Sequence, residues 1–586
     1  MRTLSKSNLY LLCILLIILT ASLLLWPVNY HYKYEAVQSL SALHNPALFG
    51  CIFTIWFIIL LVMARQGSLW WNAFLICIFG LVYVGFWLVN SPYISGGSFD
   101  PSGVSYTKYI LEHGHITMGV PKWGYFEFPI TPIFGAICSH ITGLVVFSTA
   151  KALLTFGTIL FTFSLYIFLL KSIGDPWKSF LGVLIAMLGC IHLIALDFFR
   201  PGTLGLLYIA PLLILIGLHK DRIGKSAAEA FLLILILFTV CMTHFMSSVE
   251  FLFVLLGIYV YKRFKKTELA INFRIIIIAA ILYLTWWIFV SVFTSNFVLK
   301  SGEAFLSNPS GISVFFAFMR AKALVGEQVP VWASAVRLFW IILLYALPVL
   351  ITVKLIFRSA PSERKSLSLG KSTGALLGIA LLTIIMIPLD MGANRSFEQF
   401  FRFGMFFTPL ILLKFLDVTE NKFFSKIGKR VFGFLPVILI FLAFPTFLAH
   451  QPSVNTQIYY NKEHSAFAFL QANYNQDVNV SIFCDVGTGL LQSYYLPEAN
   501  RYLVPYAPEY VKDKAEFLEK LPAYIEGFVN SKGKSFFIYS PRITHYPYLQ
   551  LGLPEDDPIW AETLETLNSK NKIYDNGFNW IAGGYY

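Results

Sequence analysis

Residues 90–128 read NSPYISGGSFDPSGVSYTKYILEHGHITMGVPKWGYFEF, a polar stretch that separates two long apolar regions of the chain. Only 13% of the chain is charged, yet this stretch concentrates acidic, basic and imidazole side chains: Asp100, Lys108, Glu112, His113, His115, Lys122 and Glu127. The segments 96–97 (GG) and 101–103 (PSG) are typical of turns, so they predict a tight turn around Asp100. An acid held on such a turn is a candidate for chemistry on a lipid-borne substrate, and a solvated connector is the alternative interpretation.

A short helix is predicted directly after this turn. The apolar residues of 104–113 recur at the spacing of an amphipathic helix: Val104, Tyr106, Tyr109, Ile110 and Leu111. Gly114 then provides a helix stop. We expect this helix to lie along the membrane surface.

The composition identifies the class of protein. The chain has 586 residues, of which 57% are hydrophobic, and it contains 56 Phe and 30 Tyr. A soluble core cannot absorb this much apolar surface, so we expect a polytopic α-helical membrane protein. The seven cysteines are scattered and form no disulfide framework or CxxC metal motif. The first apolar run, 9–26, follows two basic residues without a cleavage site of small residues, which favours a retained signal-anchor helix.

About thirteen apolar stretches have the length of a membrane span. They are 9–27, 47–64, 69–89, 145–170, 178–196, 203–218, 226–242, 246–261, 273–293, 333–353, 373–389, 402–416 and 431–449. The stretch 129–143 is shorter and contains Pro and Gly, so it is predicted to be a re-entrant or half helix. Lys and Arg concentrate in the alternate loops that share the side of the N-terminus, which places the N-terminus in the cytoplasm and the loop 90–128 outside. The net charge of +12 is therefore a signal of topology and indicates no nucleic-acid partner.

The chain divides into a membrane domain, 1–449, and a C-terminal domain, 450–586, that is predicted to be extracytoplasmic. Helices are predicted over 464–474, 508–521 and 559–567, and strands over 478–484 and 535–539. The sequence Asp575–Gly577 between two β-prone runs predicts a hairpin. These elements indicate an α/β domain. A second external loop, 294–332, is long enough to be a lid or a ligand-binding segment, or else a brace on the membrane surface.

The candidates for acid–base chemistry are Asp100 and Glu127. A carboxylate that stays ionised at a membrane boundary suits a general base, and the acceptor would be a sugar or protein hydroxyl. His113 and His115 can donate to a phosphate or hold a divalent metal. HxH alone is a weak metal motif because it lacks a third ligand, and polar surface is the alternative interpretation.

Further polar residues lie at the predicted external ends of the spans. Arginines at a membrane boundary are suited to bidentate phosphate binding, and Arg395 and Arg402 are two helical turns apart. Arg200 and His244 occupy the same predicted side. These four residues are the candidates for binding an anionic lipid headgroup. Interfacial anchoring, or pairing of an arginine with Glu398, is the alternative.

Three stretches resemble the GT-C superfamily of membrane glycosyltransferases. Phe99-Asp100 followed by SYTKYILEHGHI resembles its first large external loop, with an acid before an interfacial helix. The run 125–134 (YFEFPITPIF) resembles the start of the next helix, and the many-span core with a domain ending in NKIYDNGFNWI resembles archaeal and bacterial members. Two features depart from the pattern: three spans precede the loop, and Pro101 stands where many members have a second acid.

The resemblance implies sugar transfer from a polyprenyl-phosphate donor to a glycan, lipid or protein acceptor on the external side of the cell membrane. Asp100 alone matches the catalytic acid of the family, and Glu127 would have to supply a second acid, so metal dependence stays open. Two alternatives remain. One is a non-catalytic membrane assembly subunit whose external domain is a docking face, and the other is a transporter of a lipid-linked solute. A transporter would need charges near the middle of the membrane and preferably two related halves.

Overall fold

The structure is a computed structural model of the chain. It describes residues 6–24, 46–90, 100–116, 128–190, 227–265, 273–291, 331–357, 367–386, 407–413, 434–446, 461–474, 480–484, 495–496, 499–504, 514–531, 534–540, 543, 553, 556–575 and 580–585. The described part is a helical bundle followed by a smaller domain that contains a five-stranded sheet. The prediction of a mainly helical protein with a C-terminal α/β domain is confirmed at this level.

The helices of the bundle are labelled α1 to α15 in chain order. They are Lys6–Leu24, Pro46–Gln66, Leu69–Asn90, Asp100–His113, Ile130–Thr142, Val146–Ile173, Pro176–Cys190, Ala227–Thr243, Phe245–Lys265, Phe273–Phe289, Val331–Ile341, Leu347–Phe357, Leu367–Met386, 407–413 and Phe434–Thr446. The segment Ile342–Ala346 between α11 and α12 is π-helical. Every predicted span overlaps one of these helices except 203–218, which lies outside the described residues.

Helix α6 differs from the other apolar helices in its length. Within the part of the chain that the structure describes, α6, with 28 residues, is the one helix both long and apolar enough by itself to cross a membrane, and the other apolar helical stretches are shorter. The number of spans, about thirteen, therefore stays a prediction.

Helix α5 has the short length expected of a re-entrant or half helix. It runs without interruption over Ile130–Thr142, although the stretch contains Pro and Gly. Pro132 lies in the first turn, where the missing N–H leaves no acceptor unsatisfied. Gly135 is buried with Thr131, Ala136 and other small residues, so the lack of a side chain at this position serves close packing.

Polar side chains inside the bundle bind one helix to another. The hydroxyl of Tyr83 on α3 donates to the carbonyl oxygen of Met187 on α7 at 3.0 Å. The indole Nε1 of Trp340 on α11 donates to Thr446 Oγ1 on α15 at 2.8 Å, and both residues are fully buried. Each bond satisfies a polar group that would otherwise be costly to bury, and it also fixes the relative position of two helices.

Helices α9 and α13 are in very close contact. Gly257 on α9 faces Gly374 and Gly378 on α13. The two backbones are so close that a Cβ atom at Gly378 would overlap the carbonyl oxygen of Phe253. Small residues at a helix crossing allow this approach, which is typical of helices packed in a membrane. The contact requires glycine for space.

The C-terminal domain consists of α16 (Asn461–Tyr474), β1 (Val480–Cys484), β2 (Asn500–Leu503), α17 (Lys514–Val529), β3 (Lys534–Tyr539), α18 (Pro558–Asn568), β4 (Lys572–Asp575) and β5 (Trp580–Tyr585). The strand order is β2-β1-β3-β5-β4. β1 is parallel to β2 and β3, and β5 is antiparallel to β3 and β4. Side chains alternate between the two faces, so that Phe536 packs with α16 and Phe537 packs with α17 and α18.

Most elements predicted for this domain are present. The helices over 464–474 and 559–567, the strands over 478–484 and 535–539, and the β4–β5 hairpin pairing are confirmed. β2 was not predicted. The boundary between the domains at 449/450 stays a prediction.

The helix predicted over 508–521 is observed as Lys514–Val529 and continues through Pro522. Residues 508–513 lie outside the described part. The proline removes one backbone hydrogen bond, but Phe517, Leu521, Ile525 and Phe528 form one buried stripe along the helix. Burial of this stripe outweighs the lost bond.

We expect Gly378→Ala to destabilise the membrane domain, because the added methyl group must push α9 and α13 apart. Overpacking of this kind costs about 1–3 kcal/mol. The thermal unfolding midpoint of the full chain in detergent should therefore fall by several degrees.

Gly527→Ala is the matched control. A Cβ at Gly527, inside α17, meets no atom within 4 Å, and Gly→Ala inside a helix stabilises by up to about 1 kcal/mol. Equal midpoints for the two variants would contradict the proposed role of the α9–α13 contact.

Candidate functional site

Asp100 is the first residue of α4, and not part of a turn that precedes the helix. The turn predicted at 101–103 is therefore wrong, because the helix expected over 104–113 begins at Asp100 itself, and the part of that prediction at 96–97 lies outside the described residues. Pro101 is compatible with this start, since its fixed φ suits the first turn of a helix. The carbonyl oxygen of Gly103 accepts a hydrogen bond from Thr107 Oγ1 at 2.9 Å. The predicted stop is confirmed: Gly114 has a φ of 71°, and its N–H donates to Ile110 O at 2.8 Å.

One face of α4 is buried against the bundle. Val104 and Thr107 are fully buried, and α4 packs against α5 and α6. Position 100 precedes these residues by four and seven positions, so it lies on the same helical face. Leu111, which has the same spacing from these two residues at the other end of the helix, is exposed, as is Glu112, so the buried part of this face is centred on Val104 and Thr107.

His113 and His115 form a compact aromatic group with Tyr109 at the end of α4. The Tyr109 and His113 rings stack with centroids 4.1 Å apart, and the His115 ring lies 6.2 Å from each of them. His113 Nδ1 is 3.0 Å from Tyr109 O, and His115 Nδ1 is 2.9 Å from His113 O. A carbonyl oxygen only accepts, so both Nδ1 atoms carry the hydrogen, and each neutral ring keeps its lone pair on Nε2.

This arrangement fits half of a metal site. A histidine that ligates a metal through Nε2 commonly donates its Nδ1–H to a carbonyl, as His113 and His115 both do. Over the described ranges, however, no group of three or more His, Cys, Asp or Glu side chains is close enough to hold a metal ion. The two imidazoles therefore supply two ligand positions.

His244 lies at the junction between α8 and α9 and is the N-cap of α9. The backbone N–H of Ser247 donates to His244 Nδ1 at 3.2 Å, and the hydroxyl of Ser247 is 3.0 Å from the same nitrogen. Because Nδ1 accepts the backbone N–H, the hydrogen of the neutral ring is on Nε2. His244 thus presents a hydrogen-bond donor at a helix N-terminus, the opposite tautomer to His113.

Buried polar groups surround this junction. Ser248 Oγ donates to His244 O at 3.0 Å and lies 3.2 Å from Val240 O. Glu250, one turn further along α9, is fully buried. Carboxyl groups are rarely buried completely in membrane helices unless they serve a function, so the α8–α9 junction is the second polar centre of the described bundle.

A residue of the C-terminal domain contacts α4. Lys108 Nζ lies 5.9 Å from the centroid of the Tyr495 ring and 3.8 Å from Glu112 Oε1. The Tyr495 ring stacks on Phe467 of α16 with centroids 6.1 Å apart. Sequence reasoning missed Tyr495, because no local pattern connects it to a helix that lies so much earlier in the chain.

Four of the predicted site residues lie outside the described residues: Glu127, Arg200, Arg395 and Arg402. The structure places Asp100, His113 and His115 on one helix and His244 at a separate helix junction. α5 packs against both α4 and α8, and therefore links the two regions.

No protein-family model matches the chain, and no curated protein sequence matches it. Among solved structures, the chain is similar to the Archaeoglobus fulgidus oligosaccharyltransferase in complex with Zn and sulfate. The identity is 11%, the match covers 81% of this chain and 68% of that chain, and the TM-score is 0.47. It is also similar to ArnT from Cupriavidus metallidurans bound to undecaprenyl phosphate, with 13% identity, 87% and 97% coverage and a TM-score of 0.38.

Proposed function

We propose that the protein is a membrane glycosyltransferase that moves a sugar from a polyprenyl-phosphate-linked donor to an acceptor hydroxyl on the external side of the membrane. The observation that carries the proposal is the start of α4 at Asp100, on the helical face that Val104 and Thr107 bury against α5 and α6. An acid at this position is held by a rigid element at the edge of a bundle, as general-base catalysis requires.

Asp100 acts as the general base. Its carboxylate takes the proton of the acceptor hydroxyl as the acceptor oxygen attacks the anomeric carbon of the sugar. The bond between this carbon and the phosphate oxygen breaks, and the polyprenyl phosphate leaves with the electron pair. Glu127 assists by orienting the acceptor.

Negative charge develops on the departing phosphate, and hydrogen-bond donors near it lower the barrier. His244 suits this role because its Nδ1 is occupied by the N–H of Ser247, so Nε2–H is the donor. The N-terminus of α9 adds favourable electrostatics for an anion. Arg395, Arg402 and Arg200 are proposed to bind the same phosphate.

His113 and His115 would hold a divalent metal if the reaction uses one, since Nδ1 of each ring already donates to a backbone carbonyl. Such an ion would supply positive charge at the C-terminal end of α4, about 20 Å along the helix from Asp100.

The contact between Lys108 and Tyr495 supports an external location for the C-terminal domain. A side chain cannot reach across a bilayer, so α4 and this domain lie on one side of the membrane. The distribution of Lys and Arg predicts that this side is the external one. The domain would then present the glycan, lipid or protein acceptor to the donor.

We expect Asp100→Asn to lower kcat by at least about 10²-fold, because a general base contributes about 10²–10⁴-fold. The measurement is transfer of a radiolabelled sugar from a defined polyprenyl-phosphate sugar by the purified full chain in lipid nanodiscs. Retention of full activity would exclude this role for Asp100.

Asp175→Asn is the matched control. Asp175 also precedes a proline at the start of a helix, and its Oδ1 accepts the backbone N–H groups of Trp177 and Lys178 at 2.9 and 3.1 Å. Asparagine caps helices as well as aspartate does, so activity and stability should stay unchanged.

His244→Asn separates capping from phosphate binding. Asparagine can accept the Ser247 N–H, so α9 should still begin normally, but the Nε2–H donor is lost. A hydrogen bond to a charged group is worth about 1.5–3 kcal/mol, so kcat/KM should fall about tenfold or more while the unfolding midpoint stays close to that of the wild type.

His140→Asn provides the comparison for this variant, since His140 is an exposed histidine of α5 with no assigned role. Similar activities for His140→Asn and His244→Asn would refute phosphate binding by His244.

A further inference from the structure

We infer that Tyr495 is a positioning residue: its ring holds Lys108, and thereby sets the orientation of α4 and of the acid at its first residue. The C-terminal domain is then a structural part of the site and not a separate module. The catalytic consequence of this inference rests on the proposed function. The contact between Tyr495 and Lys108 is independent of it.

The Lys108 end of the contact is fixed to the bundle. Lys108 directly follows Thr107, which is fully buried, and its side chain is only 21% exposed. Glu112, one turn further on, holds the ammonium group at 3.8 Å. The direction of the Lys108 side chain is therefore set by α4. An interaction of the ammonium group with another residue consequently affects the position of the helix.

The Tyr495 end is fixed to the core of the C-terminal domain. Its ring stacks on Phe467, which is fully buried between α16 and the sheet. The next residue, Leu496, is 5% exposed and belongs to the same hydrophobic cluster. Tyr495 therefore cannot move relative to the domain without disturbing its core.

The distance of 5.9 Å between the Lys108 ammonium and the ring centroid lies within the range of a cation–π interaction. At a partly exposed site such a contact is worth the equivalent of about a two- to five-fold change in an equilibrium. Both partners are anchored, so losing this contact lets the domain tilt and raises the fraction of molecules in which α4 opens locally from α5 and α6. Position 100 would move with the helix.

The first experiment needs no activity. Hydrogen–deuterium exchange by mass spectrometry of the full chain in nanodiscs reports the opening of α4 through the peptides that cover 100–113. Tyr495→Leu and Lys108→Met should each raise the exchange rate of these amides about two- to five-fold. The double variant should show no further increase, because either substitution alone removes the contact.

Conservative variants and a matched control define the specificity of the effect. Tyr495→Phe keeps the ring and Lys108→Arg keeps the cation, so both should exchange like the wild type. Lys572→Met removes a comparable contact inside the C-terminal domain, where Lys572 Nζ lies 5.5 Å from the Trp580 ring, and should leave α4 unchanged. Wild-type exchange in Tyr495→Leu, or additive effects in the double variant, would overturn the inference.

The second experiment measures transfer with the same variants. Tyr495→Leu should lower kcat about two- to five-fold and leave the KM for the lipid-linked donor unchanged, because it touches none of the residues proposed to bind phosphate. Tyr495→Phe should restore kcat. Faster exchange with an unchanged kcat would show that the contact holds the domain without positioning the acid, and would overturn the positioning role.

An inactive wild type would instead refute the proposed glycosyltransferase, and the exchange experiment would still decide whether Tyr495 orients α4.

Discussion

The burial of one face of α4 against α5 and α6 is the constraint on which the candidate site depends. Val104 and Thr107 are fully buried, so the helix cannot rotate about its own axis without exposing them. The same restriction applies to every position on that face, including position 100. A helix of 14 residues would otherwise be marginally stable in water. Its packing converts a flexible acidic loop into a fixed element with a defined orientation.

The ends of helices hold most of the chemistry in the described part of the molecule. Asp100 begins one helix, His244 caps another, and His113 and His115 end the first. Local hydrogen bonds give the three histidines defined tautomers: Nδ1 donates in His113 and His115 and accepts in His244. Imidazole can therefore serve two electrostatic purposes in one protein, as a source of lone pairs and as a donor toward an anion.

The length of the apolar runs was sufficient to predict most helices of the bundle, because a membrane span requires about 20 apolar residues. Gly114 was also predictable, since a helix end at positive φ favours glycine. The start of α4 was not: proline and glycine after Asp100 are equally typical of a turn, and only the burial of Gly103 and Val104 decides for a helix. The same applies to Pro522, where the buried stripe of α17 overrides a local stop signal.

The tautomer of His244 and the contact of Lys108 with Tyr495 could not be read from the sequence. The first depends on the backbone geometry of a helix start. The second joins residues far apart in the chain, whose proximity results from the packing of the C-terminal domain. The sequence indicated where charged residues are concentrated, but it did not indicate which side chains contact each other.

The contact of Lys108 with Tyr495 also restricts how the chain is threaded through the bilayer. Two segments on one side can be connected only by an even number of crossings. The predicted spans between them, from 145–170 to 431–449, are even in number. If all of these spans cross, helix α5, with 13 residues, does not cross the bilayer completely.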